Sequence, residues 1–353
     1  MKILTISSTR PDFIRLMPTV KKLDKFFGDN HKLIWIAQNF ANSLSTQFFK
    51  EFNRQPDICL KNPKKEVGLN YLGYVYPKLD TILKSENPDC VLVLGDTNGS
   101  LATVTAAKKL GITVFHLEAG NRCFDSERVP EEVNRYMIDS ISDFHLCYTQ
   151  RAREHLLLEG KRPDRCIVVG NPICECIFNL PNYPTENETT NDYYLVTLHR
   201  KENIEDKSQL NKIFQTLSKL DKHVKVSAHP SLMSKFTNEL LQQGLKNIEF
   251  FTPSNFSDFI DLEMNAYCII TDSGTVPEEA TLLHKPCVLL RYSTERPELL
   301  ENNSMVLCDN VDNLLTSIKI VTCKDISSTN HTILDYHIST SDNVLKLIQR
   351  NRK

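Results

Sequence analysis

Residues 90–100 read Cys-Val-Leu-Val-Leu-Gly-Asp-Thr-Asn-Gly-Ser, and this stretch decides the fold class. Its five consecutive apolar residues are typical of a strand that is buried on both faces, as the strands of parallel sheets are. The small polar residues after it favour a tight turn, and residues 99–110 have the pattern of a helix leading to a second apolar run at 112–117. Strand, helix and strand in this order predict a βαβ unit in a parallel sheet.

The same alternation continues along most of the 353 residues. The apolar runs that we predict to be strands are 2–7, 33–37, 90–94, 112–117, 144–148, 166–169, 193–197, 224–228, 247–251, 267–271 and 286–290. The segments that we predict to be helices are 11–26, 44–53, 67–86, 99–110, 131–142, 150–159, 207–221, 232–243, 255–263, 276–284, 311–320 and 341–353. These elements predict an α/β fold of two Rossmann-like, doubly wound domains that face each other across a cleft.

The domain boundary is expected near a polar stretch with two prolines, residues 179–192, which has the composition of a linker or a long surface loop. A chain of this length exceeds the size at which single cores stop growing, so two domains are the expected arrangement. We predict an amino-terminal domain over 1–171, a carboxy-terminal domain over 172–335, and a terminal segment over 336–353. The helix in that last segment is amphipathic and suits packing on either domain.

Composition excludes several classes of protein. A formal net charge of −2 gives no electrostatic footprint for nucleic acid. No apolar run approaches the length of a membrane span, and the run at 2–7 is too short for the core of a signal peptide. The 11 cysteines are odd in number, and the closest pair, Cys174 and Cys176, lacks zinc-ligand spacing. We therefore expect a reduced, cytoplasmic protein without a metal site and without membrane or nucleic-acid partners.

The chemistry is concentrated between residues 116 and 135, where an apolar strand gives way to a charged loop. Glu118 stands where the strand ends, which is where ligands bind in open parallel sheets. The acids of this segment are Glu118, Asp125, Glu127, Glu131 and Glu132, and its arginines are Arg122, Arg128 and Arg135. Carboxylates gathered at one place can hold different pKa values and divide acid and base work. The alternative is a loop of solvated charges, and we favour an active-site loop.

Two earlier strand ends carry similar groups. Thr9-Arg10-Pro11-Asp12 suits a helix start, and Arg10 beside free amide donors is a natural phosphate anchor, although an ordinary turn with a solvated arginine explains it equally well. Gly95-Asp96-Thr97 places Asp96 at a strand end as Glu118 is placed, and the alternative is that Asp96 or Thr97 merely caps the next helix.

The second half offers groups for an anion. His199-Arg200-Lys201 follows a strand and suits an anionic ligand, with solvated charges as the alternative, and His229 follows the next strand. The turn at Ser273 and Gly274 precedes a helix whose amino end suits a phosphate. Glu279 in that helix can accept two ribose hydroxyls or simply favour the helix dipole, and Arg296 completes the anionic pocket or pairs with local acids.

These segments, in this order, resemble the non-hydrolysing UDP-N-acetylglucosamine 2-epimerase family between about residues 10 and 298. The similar stretches are Thr9-Arg10-Pro11, Gly95-Asp96-Thr97, Glu118-Ala119-Gly120, Pro130-Glu131-Glu132-Val133-Asn134-Arg135, Gly170-Asn171-Pro172, Leu198-His199-Arg200-Lys201-Glu202-Asn203, His229-Pro230, Thr271-Asp272-Ser273-Gly274, Pro277-Glu278-Glu279-Ala280 and Thr294-Glu295-Arg296-Pro297-Glu298. The resemblance implies the two-domain fold of type B glycosyltransferases, with the terminal helix returning to the first domain, and a homodimer.

The resemblance also implies a mechanism: a C2 proton is removed, UDP leaves C1, and UDP adds back to the 2-acetamidoglycal as C2 is protonated from the other face. The implied mechanism needs no metal and no cofactor. By the matching motifs, the catalytic residues are Asp96, Glu118, Glu131 and His199. The residues implied to bind the UDP-sugar are Arg10, Arg122, Arg135, His229, Ser273, Gly274, Glu279 and Arg296.

Residues 121–125, Asn-Arg-Cys-Phe-Asp, are similar to one branch of the family, whereas enzymes acting on the D-gluco substrate usually have Leu-Arg-Thr. That branch epimerises UDP-2-acetamido-2,6-dideoxy-L-hexoses for polysaccharide or glycan synthesis. It includes the UDP-N-acetyl-L-fucosamine synthases and the enzyme that relates UDP-N-acetyl-L-rhamnosamine to UDP-N-acetyl-L-quinovosamine. The chain departs from the family pattern at Ser8, Thr275 and Pro277. The alternatives are a UDP-N-acetylglucosamine 2-epimerase, a hydrolysing epimerase, a type B glycosyltransferase and an inactive nucleotide-sugar-binding protein.

Overall fold

The computed structural model describes residues 1–37, 48–180, 190–228, 246–251, 255–301, 303, 305–323 and 338–351. The chain divides into two compact units, one of Met1–Phe178 with Leu334–Lys353 and one of Asn179–Ile333. Each unit contains one parallel sheet, so the predicted α/β class with two doubly wound domains is confirmed.

The first unit is built on seven parallel strands in the order β3-β2-β1-β4-β5-β6-β7. The strands are β1 (Ile3–Ser7), β2 (His31–Ile36), β3 (Ile58–Leu60), β4 (Cys90–Leu94), β5 (Thr113–Leu117), β6 (Phe144–Cys147) and β7 (Cys166–Val168). Its helices are α1 (Arg10–Phe27), α2 (Gly68–Glu86), α3 (Asn98–Lys109), α4 (Pro130–Ile141), α5 (Gln150–Leu158) and α6 (Pro172–Phe178), with α13 (Thr340–Arg350) from the end of the chain. The strand order reverses between β1 and β4, which is the place where such sheets bind ligands.

Both faces of this sheet are covered by helices, as the continuous apolar strands predict. Ile3 and Leu92 point to the cluster that holds α1 and α13, whereas Leu4 and Val91 point to the cluster that holds α2 and α3. Helices α6 and α13 both pack on α1. Residues 172–178, which the sequence analysis assigned to the second domain, thus lie with the first unit.

The second unit repeats the winding with the strand order β10-β9-β8-β11-β12-β13. Its strands are β8 (Tyr193–Thr197), β9 (His223–Ser227), β10 (Ile248–Phe251), β11 (Ala266–Thr271), β12 (Cys287–Leu289) and β13 (Met305–Leu307). Its described helices are α7 (Lys201–Ile204), α8 (Lys207–Leu217), α9 (Phe256–Met264), α10 (Val276–Leu282), α11 (Pro297–Glu301) and α12 (Leu314–Thr322). The order again reverses, here between β8 and β11, at the turns that carry His199 and Ser273.

The sequence analysis missed the edge strands β3 and β13, which are three residues long, and the short helices α6, α7 and α11. Elements this short carry too few residues for a periodic pattern. The predicted helix 232–243 and residues 44–47 of another lie outside the described residues. All 11 cysteines are free thiols. No helix in the described ranges combines the length and the apolar content that spanning a membrane requires.

Candidate active site

The first-unit site is assembled at the carboxyl ends of β1, β4 and β5. The start of α1 carries a capping box, in which Thr9 Oγ1 accepts from Asp12 N (3.4 Å) and Asp12 Oδ2 accepts from Thr9 N (3.0 Å). This box turns the Asp12 carboxyl back towards the strand ends. A Cβ placed on Gly95 would lie 3.9 Å from Asp12 Oδ1 and 3.7 Å from Glu118 Oε2, so two carboxyls converge on the turn that precedes Asp96.

Asp12 is a group that the sequence analysis did not select. Its carboxyl is buried, and burial raises its pKa to about 7. The charges of Asp96 and Glu118 contribute to this rise and the hydrogen bonds from Thr9 oppose it, so about 7 is the net result. A carboxyl that holds its proton near neutral pH beside other carboxylates is a typical feature of acid–base sites.

Glu118 begins the loop after β5 in an uncommon backbone conformation. Its φ of 76° lies in the left-handed region, which costs a residue other than glycine about 1–2 kcal/mol. Its carboxylate accepts from Tyr148 Oη (3.3 Å) and Asn121 Nδ2 (3.4 Å), and Arg15 Nη1 lies 3.9 Å from Oε2. The strained backbone is consistent with a side chain that is held in place for function.

Asp96 is held by helix α4. Arg135 donates to Asp96 Oδ2 from Nε (2.7 Å), its Nη2 lies 2.6 Å from the same oxygen, and its Nη1 donates to Glu132 (2.6 Å). Glu132 is fully buried and accepts from the backbone amides of Cys123 (3.1 Å) and Phe124 (2.9 Å). Arg135, expected to bind substrate, is therefore mainly committed to orienting Asp96 and the loop.

Glu131 lies one residue before Glu132 in the first turn of α4. Its Oε2 is buried and has no hydrogen-bond partner among the described residues. An unsatisfied buried carboxylate oxygen is costly in a folded protein, so it marks a place where a ligand group is expected.

Arg122, which the sequence analysis assigned to substrate binding, is buried among partners of its own unit. Its side chain has no exposed surface, Nε donates to Glu159 (2.8 Å), and Nη2 lies 2.8 Å from Asp139 Oδ2. The guanidinium also stacks 4.5 Å from the centre of the Tyr136 ring. In this structure Arg122 anchors the loop from within. Arg10, by contrast, is partly exposed at the first position of α1.

In the second unit, His199 is positioned by the buried Asp272. Asp272 Oδ1 lies 3.0 Å from His199 Nδ1 and accepts from His199 N (3.0 Å), and Oδ2 accepts from Arg200 N (2.9 Å) and Asn203 Nδ2 (3.1 Å). Burial alone would raise the pKa of Asp272, but the His199 charge and these hydrogen bonds lower it. The His199 side chain is 52% exposed, so its ring remains accessible for an anionic ligand.

The turn after β11 is shaped by a close approach. Ser273 and Gly274 are both partly exposed, and a Cβ on Gly274 would lie 2.4 Å from Glu295 Oε1, so a larger residue there would require the Glu295 carboxylate to shift. Arg296 is buried, with Nε 2.8 Å from Glu278 and Nη1 3.2 Å from Glu295. Arg296 thus stabilises the turn. Because it is buried, little of its surface is available to contact a ligand in the anionic pocket that the sequence analysis expected.

Glu279 is buried next to a second acid, Glu263 of α9, which the sequence analysis missed. Burial and the neighbouring Glu279 raise the pKa of Glu263 well above its usual range. Burial and the charge of Glu279 therefore favour the protonated form of Glu263. His229 lies outside the described residues.

A model of the UDP-N-acetylglucosamine 2-epimerase family matches residues 21–346. The chain belongs to this family. It is 35% identical to the UDP-N-acetylglucosamine 2-epimerase of Methanocaldococcus jannaschii, over 91% of this chain and 92% of that protein. It is 31% identical to the UDP-2,3-diacetamido-2,3-dideoxy-D-glucuronate 2-epimerase of Pseudomonas aeruginosa, over 87% of this chain and 88% of that protein.

Among solved structures, the M. jannaschii epimerase in complex with UDP-N-acetylglucosamine and UDP aligns with a TM-score of 0.90 at 32% identity, covering 99% of this chain and all of that one. A lipopolysaccharide outer core galactosyltransferase aligns with a TM-score of 0.57 at 15% identity, which shows a shared fold alone. The protein is therefore a nucleotide-sugar 2-epimerase with a type B glycosyltransferase-like fold, and a glycosyltransferase activity is not favoured.

Several residues that shape the epimerase site were missed by sequence reasoning. A signal existed for Arg15, because a charged residue within the apolar run Phe-Ile-Arg-Leu-Met of a helix needs a buried partner. Glu263 gave a similar signal on the apolar side of α9. No local signal marked Asp139, since its role depends on hydrogen bonds to residues distant in the chain. Asp272 lay within the family-like stretch Thr271-Asp272-Ser273-Gly274, but its contacts with His199 and Asn203 could not be read from the sequence.

Proposed function

We propose that this epimerase inverts C2 of a UDP-2-acetamido-2,6-dideoxy-L-hexose by elimination and re-addition of UDP. In the first step a carboxylate takes the C2 proton, the C1–O bond breaks with its electrons going to UDP, and a 2-acetamidoglycal forms. In the second step UDP adds back to C1 while a second acid protonates the opposite face of C2. The reaction is redox-neutral overall and requires acid and base groups on both faces.

The observation that carries the mechanism is the convergence of carboxyl groups on the Gly95 turn, at the point where the strand order reverses. We assign Asp96, Glu118 and Glu131 as the catalytic carboxylates. The three acids have different surroundings, because Asp96 is held by Arg135, Glu118 accepts from Tyr148 and Asn121, and Glu131 Oε2 is buried with no hydrogen-bond partner among the described residues.

We assign UDP binding to the turns that follow strands β8 and β11 in the second unit. We propose that Ser273 and the Gly274 amide hold the diphosphate, that Glu279 accepts ribose hydroxyls, and that the accessible ring of His199 neutralises or protonates the departing diphosphate. Arg10 is proposed as a further diphosphate contact, supported by its place at the amino end of α1.

The choice of a 6-deoxy-L-sugar rests on the loop Asn121–Asp125, which replaces the Leu-Arg-Thr usual for the D-gluco substrate. This loop follows Glu118 and is anchored by Arg122 and Glu132, so its sequence bears on the surroundings of the reacting sugar. The second candidate is UDP-N-acetylglucosamine, because relatives are named for that substrate. Turnover of UDP-N-acetylglucosamine, with none of any candidate UDP-6-deoxy-L-hexosamine, would decide for the second candidate.

The proposal is tested with Asp96→Asn and Glu118→Gln, which keep shape and remove proton transfer. We expect each variant to fold and to lose about 100-fold or more in turnover. Glu154→Gln, on the exposed side of α5, is the matched control and should retain normal turnover. Product formed in deuterated water should carry deuterium at C2. Near-normal rates in either acid variant would remove that residue from the mechanism, and unlabelled product would contradict elimination.

We also propose that the enzyme is a homodimer that uses the outer face of α4. Val133, Tyr136, Met137 and Ile141 are each more than a third exposed and lie along one side of the helix. Light scattering should give the mass of two chains for the wild type and of one chain for Met137→Glu. Ile320→Glu, an equally exposed position in the second unit, is the control, and a monomeric wild type would end this proposal.

A further inference from the structure

A buried histidine–aspartate pair lies directly beneath the two acid-bearing turns of the first unit. His116 belongs to β5 and Asp139 to α4, and both side chains are almost entirely inaccessible. His116 Nδ1 lies 2.7 Å from Asp139 Oδ1, and His116 Nε2 lies 3.0 Å from the carbonyl oxygen of Gly95. The pair takes no part in the roles proposed above for Asp96 and Glu118.

The His116 ring bridges two elements of the first unit. Both of its nitrogens lie within hydrogen-bond distance of an acceptor, the Asp139 carboxylate on one side and the Gly95 carbonyl oxygen on the other. Burial by itself would raise the pKa of Asp139, but the charge and hydrogen bond of His116, together with Arg122, hold it well below its usual range.

Asp139 carries the connection onward to the second turn. Its Oδ2 accepts from the backbone amide of Gly120 (3.1 Å), and Arg122 Nη2 lies 2.8 Å from the same oxygen. His145 Nε2 donates to the carbonyl oxygen of Asp139 (2.7 Å), which fixes the backbone at this point of α4. Every polar atom of the Asp139 carboxylate is thus engaged.

A continuous series of hydrogen bonds therefore joins Gly95, His116, Asp139 and Gly120. Gly95 immediately precedes Asp96, and Gly120 follows Glu118 by two residues. We propose that His116 and Asp139 form a positioning pair that sets the separation and orientation of the Asp96 and Glu118 turns. This inference rests on the proposed catalytic roles of those two acids.

The pair matters because the Glu118 turn is strained. A non-glycine residue at φ 76° relaxes unless the residues after it are held, and the Gly120 amide is the nearest backbone group tied to Asp139. Proton transfer falls steeply with misplacement, since an error of about 1 Å costs about 100-fold in rate. Loss of the pair should therefore slow the chemical step and leave UDP binding largely intact.

The test compares Asp139→Ala with Asp139→Asn. The alanine variant releases both turns, and its kcat should fall about 100-fold while KM changes by less than about threefold. The asparagine variant can accept from Gly120 N and donate to His116 Nδ1, so it should recover most of the lost rate. The rate of deuterium incorporation at C2 should fall in parallel with kcat. Both rates are expressed per UDP-binding site, so a loss of folded protein alone would leave them unchanged.

The control and a second variant keep the inference falsifiable. Asp143→Ala removes a comparable tie at the other end of β5, where Asp143 accepts from Val114 N (2.8 Å), and its kcat should not change. If Asp139→Ala does not fold, His116→Gln replaces it, because the amide reaches only one of the two acceptors and should still lower kcat. Normal kcat in Asp139→Ala or His116→Gln, with Asp96→Asn inactive, would overturn the positioning pair alone. Activity in both Asp96→Asn and Glu118→Gln would instead overturn the proposed function.

Discussion

Replacing Asp12 with asparagine should remove a pH dependence from the stability of the first unit. The folded-state pKa of Asp12 is about 7, against a usual value of 3.8, because the carboxyl is buried beside two other acids. Between these two values the folded protein holds a proton that the unfolded chain has released. Stability from this group is therefore present at low pH and is lost as the pH rises through about 7.

The size of the effect follows from the shift. The difference between 3.8 and about 7 amounts to about 3 pKa units, or about 4 kcal/mol for the complete titration. Between pH 5 and pH 8, the part of that range that is easily measured, the wild type should lose about 2.5 kcal/mol relative to Asp12→Asn. Asparagine keeps the oxygen that accepts from Ser8 and Thr9, so the helix cap should survive.

The assay is urea unfolding followed by fluorescence at several pH values. The single tryptophan of the chain, Trp35, lies in the first unit and its ring packs against Phe13, next to Asp12. Its signal therefore reports on the unit that contains the substitution. Asp29→Asn, an exposed acid beyond the end of α1, is the control for removing a surface carboxylate. Free energies of unfolding for wild type and Asp12→Asn that stay parallel within about 0.5 kcal/mol from pH 5 to 8 would refute the reasoning.

Three further substitutions test other parts of the structure. Gly120→Ala should destabilise the first unit by more than about 3 kcal/mol in urea unfolding, because the added Cβ would lie 2.0 Å from a backbone oxygen. Gly111→Ala, also at positive φ but in open space, should cost about 1 kcal/mol, and equal costs for the two variants would contradict the steric explanation. Glu263→Gln should match wild-type thermal stability by circular dichroism at acidic pH and exceed it increasingly as the pH rises above 4.5, since the raised pKa of Glu263 makes its ionisation costly in the fold. A constant difference would contradict the raised pKa of Glu263. Arg122→Gln should lower the free energy of unfolding by about 3–5 kcal/mol, because it removes one partner of a buried ion pair. A change below about 1 kcal/mol would instead indicate that Arg122 is solvated.

Much of the fold could be predicted because its signals are local. A run such as Cys90–Leu94 is apolar at every position, and only burial on both faces of a parallel sheet accommodates that. Elements without such a signal were missed: β3 and β13 take their structure from a neighbouring strand, and α6 takes its stability from packing on α1.

The same distinction applies to the site. Sequence reasoning selected Asp96 and Glu118 because each lies within two residues of the end of a buried strand, and parallel strands bring such residues to one edge. It expected Arg122 to contact substrate, since the spacing of charges along a loop does not reveal which of them are buried against distant partners. For Asp12, the sequence indicated only a place in the first turn of a helix.

The amino-acid sequence by itself determined the two doubly wound sheets and the acids at their strand ends, because hydrophobic periodicity and turn chemistry act over a few neighbouring residues. Only the tertiary structure decided how those acids are held and which groups surround them. The raised pKa of Asp12, the hydrogen bonds of His116 and the ion pairs of Arg122 arise from burial and from partners distant in the chain, and desolvation depends on everything packed around a group.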